Sequence, residues 1–92
     1  MTDGFWTWDY FAQCTSRLKE VEKLLTNEQI QYLNEYYTMN RMPSVNEVLL
    51  ICNQWNLKGI GWLVDIEDWF FGRRMAETEI QERRRLTRIL PA

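Results

Sequence analysis

Arginine side chains offer the clearest chemistry in this sequence, which is the binding of phosphate or another anion. Arg73 and Arg74 directly follow the aromatic run Trp69-Phe70-Phe71 and Gly72. The candidate phosphate contacts are Arg73, Arg74, Arg83, Arg84, Arg85 and Arg88. The last four could equally form a solvated helix end, because cations are favoured at the negative end of a helix dipole.

Catalytic and metal-binding chemistry is not indicated. The chain has no histidine, which is the commonest general base and metal ligand. Cys14 and Cys52 stand alone rather than in a C-x-x-C pair, so we expect two small buried side chains in a reducing compartment. No glycine-rich phosphate loop occurs. We therefore predict no enzyme, no catalytic residue, no metal site, no cofactor and no small-molecule substrate.

Length and composition predict one small folded domain. The chain has 92 residues, of which 46% are hydrophobic and five are tryptophan, so it can fill a core. No run approaches the roughly 18 apolar residues of a membrane span, and the start, Met1-Thr2-Asp3-Gly4, lacks the basic region of a signal peptide. We expect no contact with a membrane. The formal net charge of −2 argues against strong DNA binding, since dedicated nucleic-acid domains are usually basic.

The fold class predicted from the spacing of apolar residues is all-α. A first helix is expected over residues 2–24, with an apolar stripe formed by Phe11, Cys14, Leu18, Val21 and Leu25. Four aromatic side chains crowd its first turns, namely Phe5, Trp6, Trp8 and Tyr10. These aromatics either pack on the rest of the domain or form a docking surface. Residues 1–24 are thus predicted to be a helix that packs on or extends the domain formed by residues 25–90.

The following helices begin at two capping boxes, Thr26-Asn27-Glu28-Gln29 and Ser44-Val45-Asn46-Glu47. The second helix ends near residues 39–40, because Pro43 prevents its continuation. Lys58-Gly59-Ile60-Gly61 is predicted to form a turn before a last helix that runs toward residue 89. The predicted core residues are Leu25, Leu33, Tyr37, Ile51, Trp55, Leu57, Ile66, Trp69 and Phe70.

Residues 25–75 resemble a divergent homeodomain. The positions that match its first two helices and turn are Leu25, Thr26, Gln29, Leu33, Tyr37, Asn40, Pro43 and Leu57. In its third helix the family's W-F-x-N-R-R-M reads W-F-F-G-R-R-M here, from Trp69 to Met75. The resemblance implies a three-helix homeodomain-like helix-turn-helix, here with an additional N-terminal helix, and a nuclear transcription or chromatin regulator.

The face that would read DNA departs from the family pattern. Gly72 stands where the family has an asparagine that hydrogen-bonds adenine, and glycine has no side chain for that contact. The DNA-facing or partner-facing positions are Asp68, Phe71, Gly72 and Met75, which share one stripe of the helix. We expect this recognition stripe to be exposed and turned away from the core. The segment before the homeodomain match, residues 19–23, also lacks the family's arginine-bearing arm, and the turn before the last helix is about four residues longer than the family's.

Two functional hypotheses follow. In the first, the chain is a homeodomain-like module on which a protein partner or a second copy packs, with weak or partner-assisted DNA binding. In the second, it is a sequence-specific DNA-binding homeodomain, alone or as a heterodimer. A third arrangement, in which Phe71 and Met75 pack on the N-terminal helix, would cover the DNA-reading face from within.

Overall fold

Four α-helices make up the structure, a computed structural model that describes residues 8–89 and, at residues 8 and 87–89, the backbone alone. The helices are α1 (Trp8–Glu22), α2 (Asn27–Met39), α3 (Val45–Gln54) and α4 (Ile60–Ile89). Among these residues there is no strand, so the predicted all-α class is confirmed. Residues 1–7, which the sequence places in the first helix, lie outside the described part.

Both predicted capping boxes form and fix the starts of α2 and α3. The Thr26 hydroxyl accepts from the Gln29 backbone N–H at 3.1 Å, and the Gln29 side chain accepts from the Thr26 N–H at 2.9 Å. Ser44 and Glu47 make the same pair of bonds, at 3.2 and 2.7 Å. Each box satisfies two backbone donors that a helix start otherwise leaves unbonded.

The turn between α3 and α4 is shorter than predicted. The Leu57 N–H donates to the Cys52 carbonyl at 2.8 Å, which closes the end of α3. Gly59 has a φ of 104°, a conformation that glycine adopts without strain. The chain can therefore begin α4 already at Ile60, and Gly61 lies in the first helical turn rather than in the loop. As predicted, α4 continues to residue 89.

The core lies where α1, α2 and α3 meet the first half of α4. Its largest fully buried side chain is that of Trp69, whose ring meets Phe70 edge-on with 5.1 Å between the ring centroids. Of the residues placed in the core from the sequence, those that are buried are Leu33, Tyr37, Ile51, Ile66, Trp69 and Phe70. The remaining three, Leu25, Trp55 and Leu57, are half-buried and pack against this cluster.

Helix α1 belongs to this core and is not an appendage. Leu18 and Val21 lie in the same buried cluster as Trp69. The Trp69 indole Nε1–H also donates to the Glu22 carboxylate at 2.9 Å. The buried apolar contacts and this hydrogen bond together hold α1 against α4.

Candidate interaction face of helix α4

The recognition stripe of α4 lies under α1 for much of its length. Gly72 is buried, and a Cβ built on it would come within 2.9 Å of the Leu18 Cβ and 3.0 Å of the Cys14 carbonyl oxygen. Met75 is buried as well. The expectation that the whole stripe is exposed was therefore wrong for these two residues. The missing side chain at Gly72 lets the α1 backbone approach α4 closely, which is a use of glycine that the resemblance to DNA-reading helices did not suggest.

The carboxylates of the stripe are engaged by a cation from α1. The Arg17 guanidinium donates from Nε to Asp68 Oδ2 at 3.0 Å and pairs through Nη2 with Asp65. The hydrogen bond to Asp68 is the main reason why the pKa of Arg17 is raised above its ordinary value. Asp68, one of the predicted DNA-facing or partner-facing positions, thus already has a partner within the chain. Arg17 belongs to no motif in the sequence, although its position one residue before Leu18 places it at the edge of the α1 stripe.

Phe71 is the apolar member of the recognition stripe that remains at the surface, with 37% of the residue exposed. Two shallow depressions flank it. One, of about 210 Å³, is lined on the α1 side by Cys14 and Arg17, and the other, of about 290 Å³, is lined on the α3 side by Val48 and other residues. Phe71 therefore forms a ridge between α1 and α3.

The paired arginines after the stripe turn toward the protein. The Arg73 guanidinium lies over the Tyr37 ring at 4.4 Å from its centroid and 5.8 Å from that of Trp69. Its Nε is buried and has no acceptor in the part of the chain that the structure describes. Arg74 donates from Nη1 to the backbone carbonyl of Arg41 at 2.9 Å. Both arginines hold α4 against the end of α2, Arg73 through the Tyr37 ring and Arg74 through the Arg41 carbonyl. A phosphate would have to compete with these contacts.

Carboxylates of the same helix pair with two of the distal arginines. Arg83 donates to Glu79 at 2.9 Å, and Arg85 donates to Glu82 at 2.7 Å. Arg84 is exposed, and no hydrogen bond or ion pair joins it to another described residue. The side chain of Arg88 lies outside the description. Among the predicted phosphate contacts whose side chains the structure describes, Arg84 therefore has the most available guanidinium.

A second apolar surface, which was not predicted from the sequence, lies at the junction of α3 and α4. Leu49, Ile60 and Val64 are exposed by 40%, 77% and 45%. A groove of about 410 Å³ runs beside them, lined by Leu49, Leu57, Ile60, Leu63 and neighbouring residues. The spacing of Ile60 and Val64 in α4 would have revealed a shared face, but the predicted Gly59–Gly61 turn placed Ile60 outside the helix. We call Leu49, Ile60 and Val64 the junction patch.

The cysteines and carboxylates do not form a reactive centre in the described residues. Cys14 and Cys52 are free thiols, and burial raises the pKa of both, which favours the unreactive protonated form. Within residues 8–89, no cluster of three or more histidine, cysteine, aspartate or glutamate side chains could hold a metal ion. Across the same range no helix has the length and apolar character needed to cross a membrane.

Comparison with known proteins gives no relative for this chain: no protein-family model, curated protein or solved structure matches it. The resemblance of residues 25–75 to a homeodomain therefore stays a prediction, carried by the residues quoted above.

Proposed function

We propose that the protein is a homeodomain-like module of a nuclear transcription or chromatin regulator that acts mainly by binding other proteins. Its contact with DNA, in this proposal, is weak or partner-assisted and goes to the phosphate backbone. The observation that carries the proposal is the packing of α1 on Gly72, at the position from which a homeodomain reads adenine.

Base reading would require the recognition stripe to enter the major groove, and α1 occupies that space. Phe11, Leu18 and Val21 of α1 are buried. Exposing each of them costs about 1.5–3 kcal/mol, or roughly 5–9 kcal/mol together. Specific DNA complexes are favoured over non-specific ones by about 4–10 kcal/mol. Displacement of α1 would therefore offset most of the energy available for sequence discrimination.

The charge of the chain also favours protein binding over sequence-specific DNA binding. The chain carries a formal net charge of −2, and Glu79 and Glu82 lie beside the distal arginines. Backbone binding through Arg84, the exposed guanidinium without a partner among the described residues, would be weak and would decrease further as salt is added. A surface with exposed apolar side chains, such as the junction patch, more often marks a protein interface.

The alternative is a sequence-specific DNA-binding homeodomain, alone or as a heterodimer. The W-F-x-x-R-R-M match favours it, because Arg74 corresponds to a family phosphate contact. In that case a partner or the DNA itself would have to move α1 away from Gly72.

Selection of binding sites from a random duplex pool separates the two functions. The full chain is equilibrated with the pool at low salt, bound duplexes are recovered over several rounds, and affinities are then measured at increasing salt. We expect no enriched sequence and a similar salt dependence for every duplex. Enrichment of one site that keeps its preference over random DNA as salt rises would support the alternative and contradict our proposal.

A further inference from the structure

The junction patch presents large apolar side chains to solvent on two neighbouring helices. Ile60 is exposed by 77%, and Val64, one turn later in α4, by 45%. Leu49 of α3 lines the same groove as Ile60. Apolar surface left in water is unfavourable by about 25 cal/mol per Å², so a contiguous patch of this kind is typical of an interface.

Two unpaired charges of opposite sign border the patch. Lys58 lies on its loop side, and Glu67 lies further along α4. No hydrogen bond or ion pair joins either of them to the described residues, and the neighbouring carboxylates Asp65 and Asp68 are already paired with Arg17. Lys58 is also the only lysine or arginine between Arg41 and Arg73. The patch thus has one free cation at one end and one free carboxylate at the other.

The helix geometry places the apolar residues between these charges. Ile60, Val64 and Glu67 have the spacing i, i+4 and i+7, which puts them on one face of α4. In the first turn, a Cβ built on Gly61 would meet nothing within 4 Å, so a second helix could approach there without a side chain in its way.

We propose that the partner of the junction patch is a second copy of this chain, docked antiparallel across a two-fold axis near the first turns of α4. A two-fold interface requires a self-complementary surface, in which residue i meets residue j and residue j meets residue i. In this arrangement Lys58 of each copy faces Glu67 of the other, and the Ile60 and Val64 side chains pack together between the two ion pairs. This inference rests on the proposed function, because it names the partner of the protein-binding module. The patch is small, so the dimer is weak and reversible.

Charge reversal tests the pairing directly. The unchanged 92-residue chain and the variants Lys58→Glu and Glu67→Lys are compared by sedimentation equilibrium over a range of concentrations at low salt. Lys58 is exposed and Glu67 is half-buried, so circular dichroism checks that each variant is folded. We expect a monomer–dimer equilibrium for the unchanged protein and dimerisation weakened about tenfold in each variant, because each reversal turns two ion pairs into repulsions.

Mixing the two variants provides the matched control. A heterodimer of Lys58→Glu with Glu67→Lys again has two pairs of opposite charge, so the mixture should associate about as strongly as the unchanged protein. Ile60→Ser, which removes the most exposed apolar side chain of the patch, should abolish association in all combinations. A change of stability within one chain cannot produce rescue by mixing.

Two results would overturn the proposal: a monomer at every concentration, or a mixture that associates no better than either variant alone. Either result would rule out the dimer but not the proposed function, which would still hold if a different protein bound to the surface around Ile60. Conversely, a selected DNA site would contradict the proposed function whatever the outcome of the sedimentation experiment.

Discussion

Replacement of Gly72 by alanine probes the contact between α1 and α4 with one methyl group. In an exposed helix interior this change stabilises by about 1 kcal/mol, because alanine has the higher helix propensity. Here the new Cβ would lie 2.9 Å from the Leu18 Cβ and 3.0 Å from the Cys14 carbonyl oxygen. The carbonyl is backbone and cannot rotate away, so α1 must shift. Overpacking of this kind costs about 1–3 kcal/mol, which cancels or exceeds the gain in helix propensity and leaves a net destabilisation of about 0–2 kcal/mol.

Urea unfolding followed by tryptophan fluorescence and circular dichroism measures this change. The matched control is Gly61→Ala in the same helix, where the added Cβ meets nothing within 4 Å and the free energy of unfolding should stay the same or rise slightly. The sign of the effect at Gly72 is decisive. If Gly72→Ala is more stable than the unchanged protein, α1 does not lie against this face and the reasoning fails.

The remaining predictions concern the core, the caps and the free arginine. Trp69→Ala removes a fully buried ring and should destabilise by about 3–5 kcal/mol in the same urea experiment, whereas a melt close to that of the unchanged protein would show that the ring is not buried. The pKa of Glu47 is lowered from its ordinary 4.5, mainly by the Ser44 backbone N–H and then by the Tyr36 hydroxyl. The ionised Glu47 carboxylate therefore stabilises the fold fully above pH 4.5, and this stabilisation is lost as the pH falls through the lowered pKa. Glu47→Gln should therefore reduce the loss of stability on acidification below about pH 4.5, and an unchanged acid limb of the pH profile would contradict this. Arg84→Gln should weaken binding to every DNA sequence alike and flatten the log–log salt dependence by about one unit, and a loss confined to one sequence would argue for base reading.

The helix starts could be predicted because their signals are local. Thr26 and Ser44 each precede a residue that completes a capping box, and both boxes form. The inward direction of Trp69 and Phe70 followed from helical spacing alone. The start of α4 was misjudged because two glycines close together favour a turn, whereas only Gly59 has a positive φ.

The role of Gly72 could not be deduced from local sequence. The need for a glycine at this position comes from Leu18, which lies more than fifty residues earlier in the chain and contacts α4 only in the folded protein. A glycine inside a helix indicates a close approach of some kind, but helical spacing does not say whether the neighbour is DNA, another protein or another helix of the same chain. The pairing of Arg17 with Asp65 and Asp68 is non-local for the same reason.

The central claim is that α1 occupies the recognition stripe of α4, and nuclear Overhauser effects between Gly72 and Leu18 test it most directly. The Gly72 α protons and the Leu18 side-chain protons should give strong cross-peaks in the free protein, because a Cβ at Gly72 would lie 2.9 Å from the Leu18 Cβ. The account predicts that these cross-peaks persist when excess duplex DNA is added. Their absence from the free protein, or their replacement by cross-peaks between Gly72 and base protons in the presence of DNA, would contradict it.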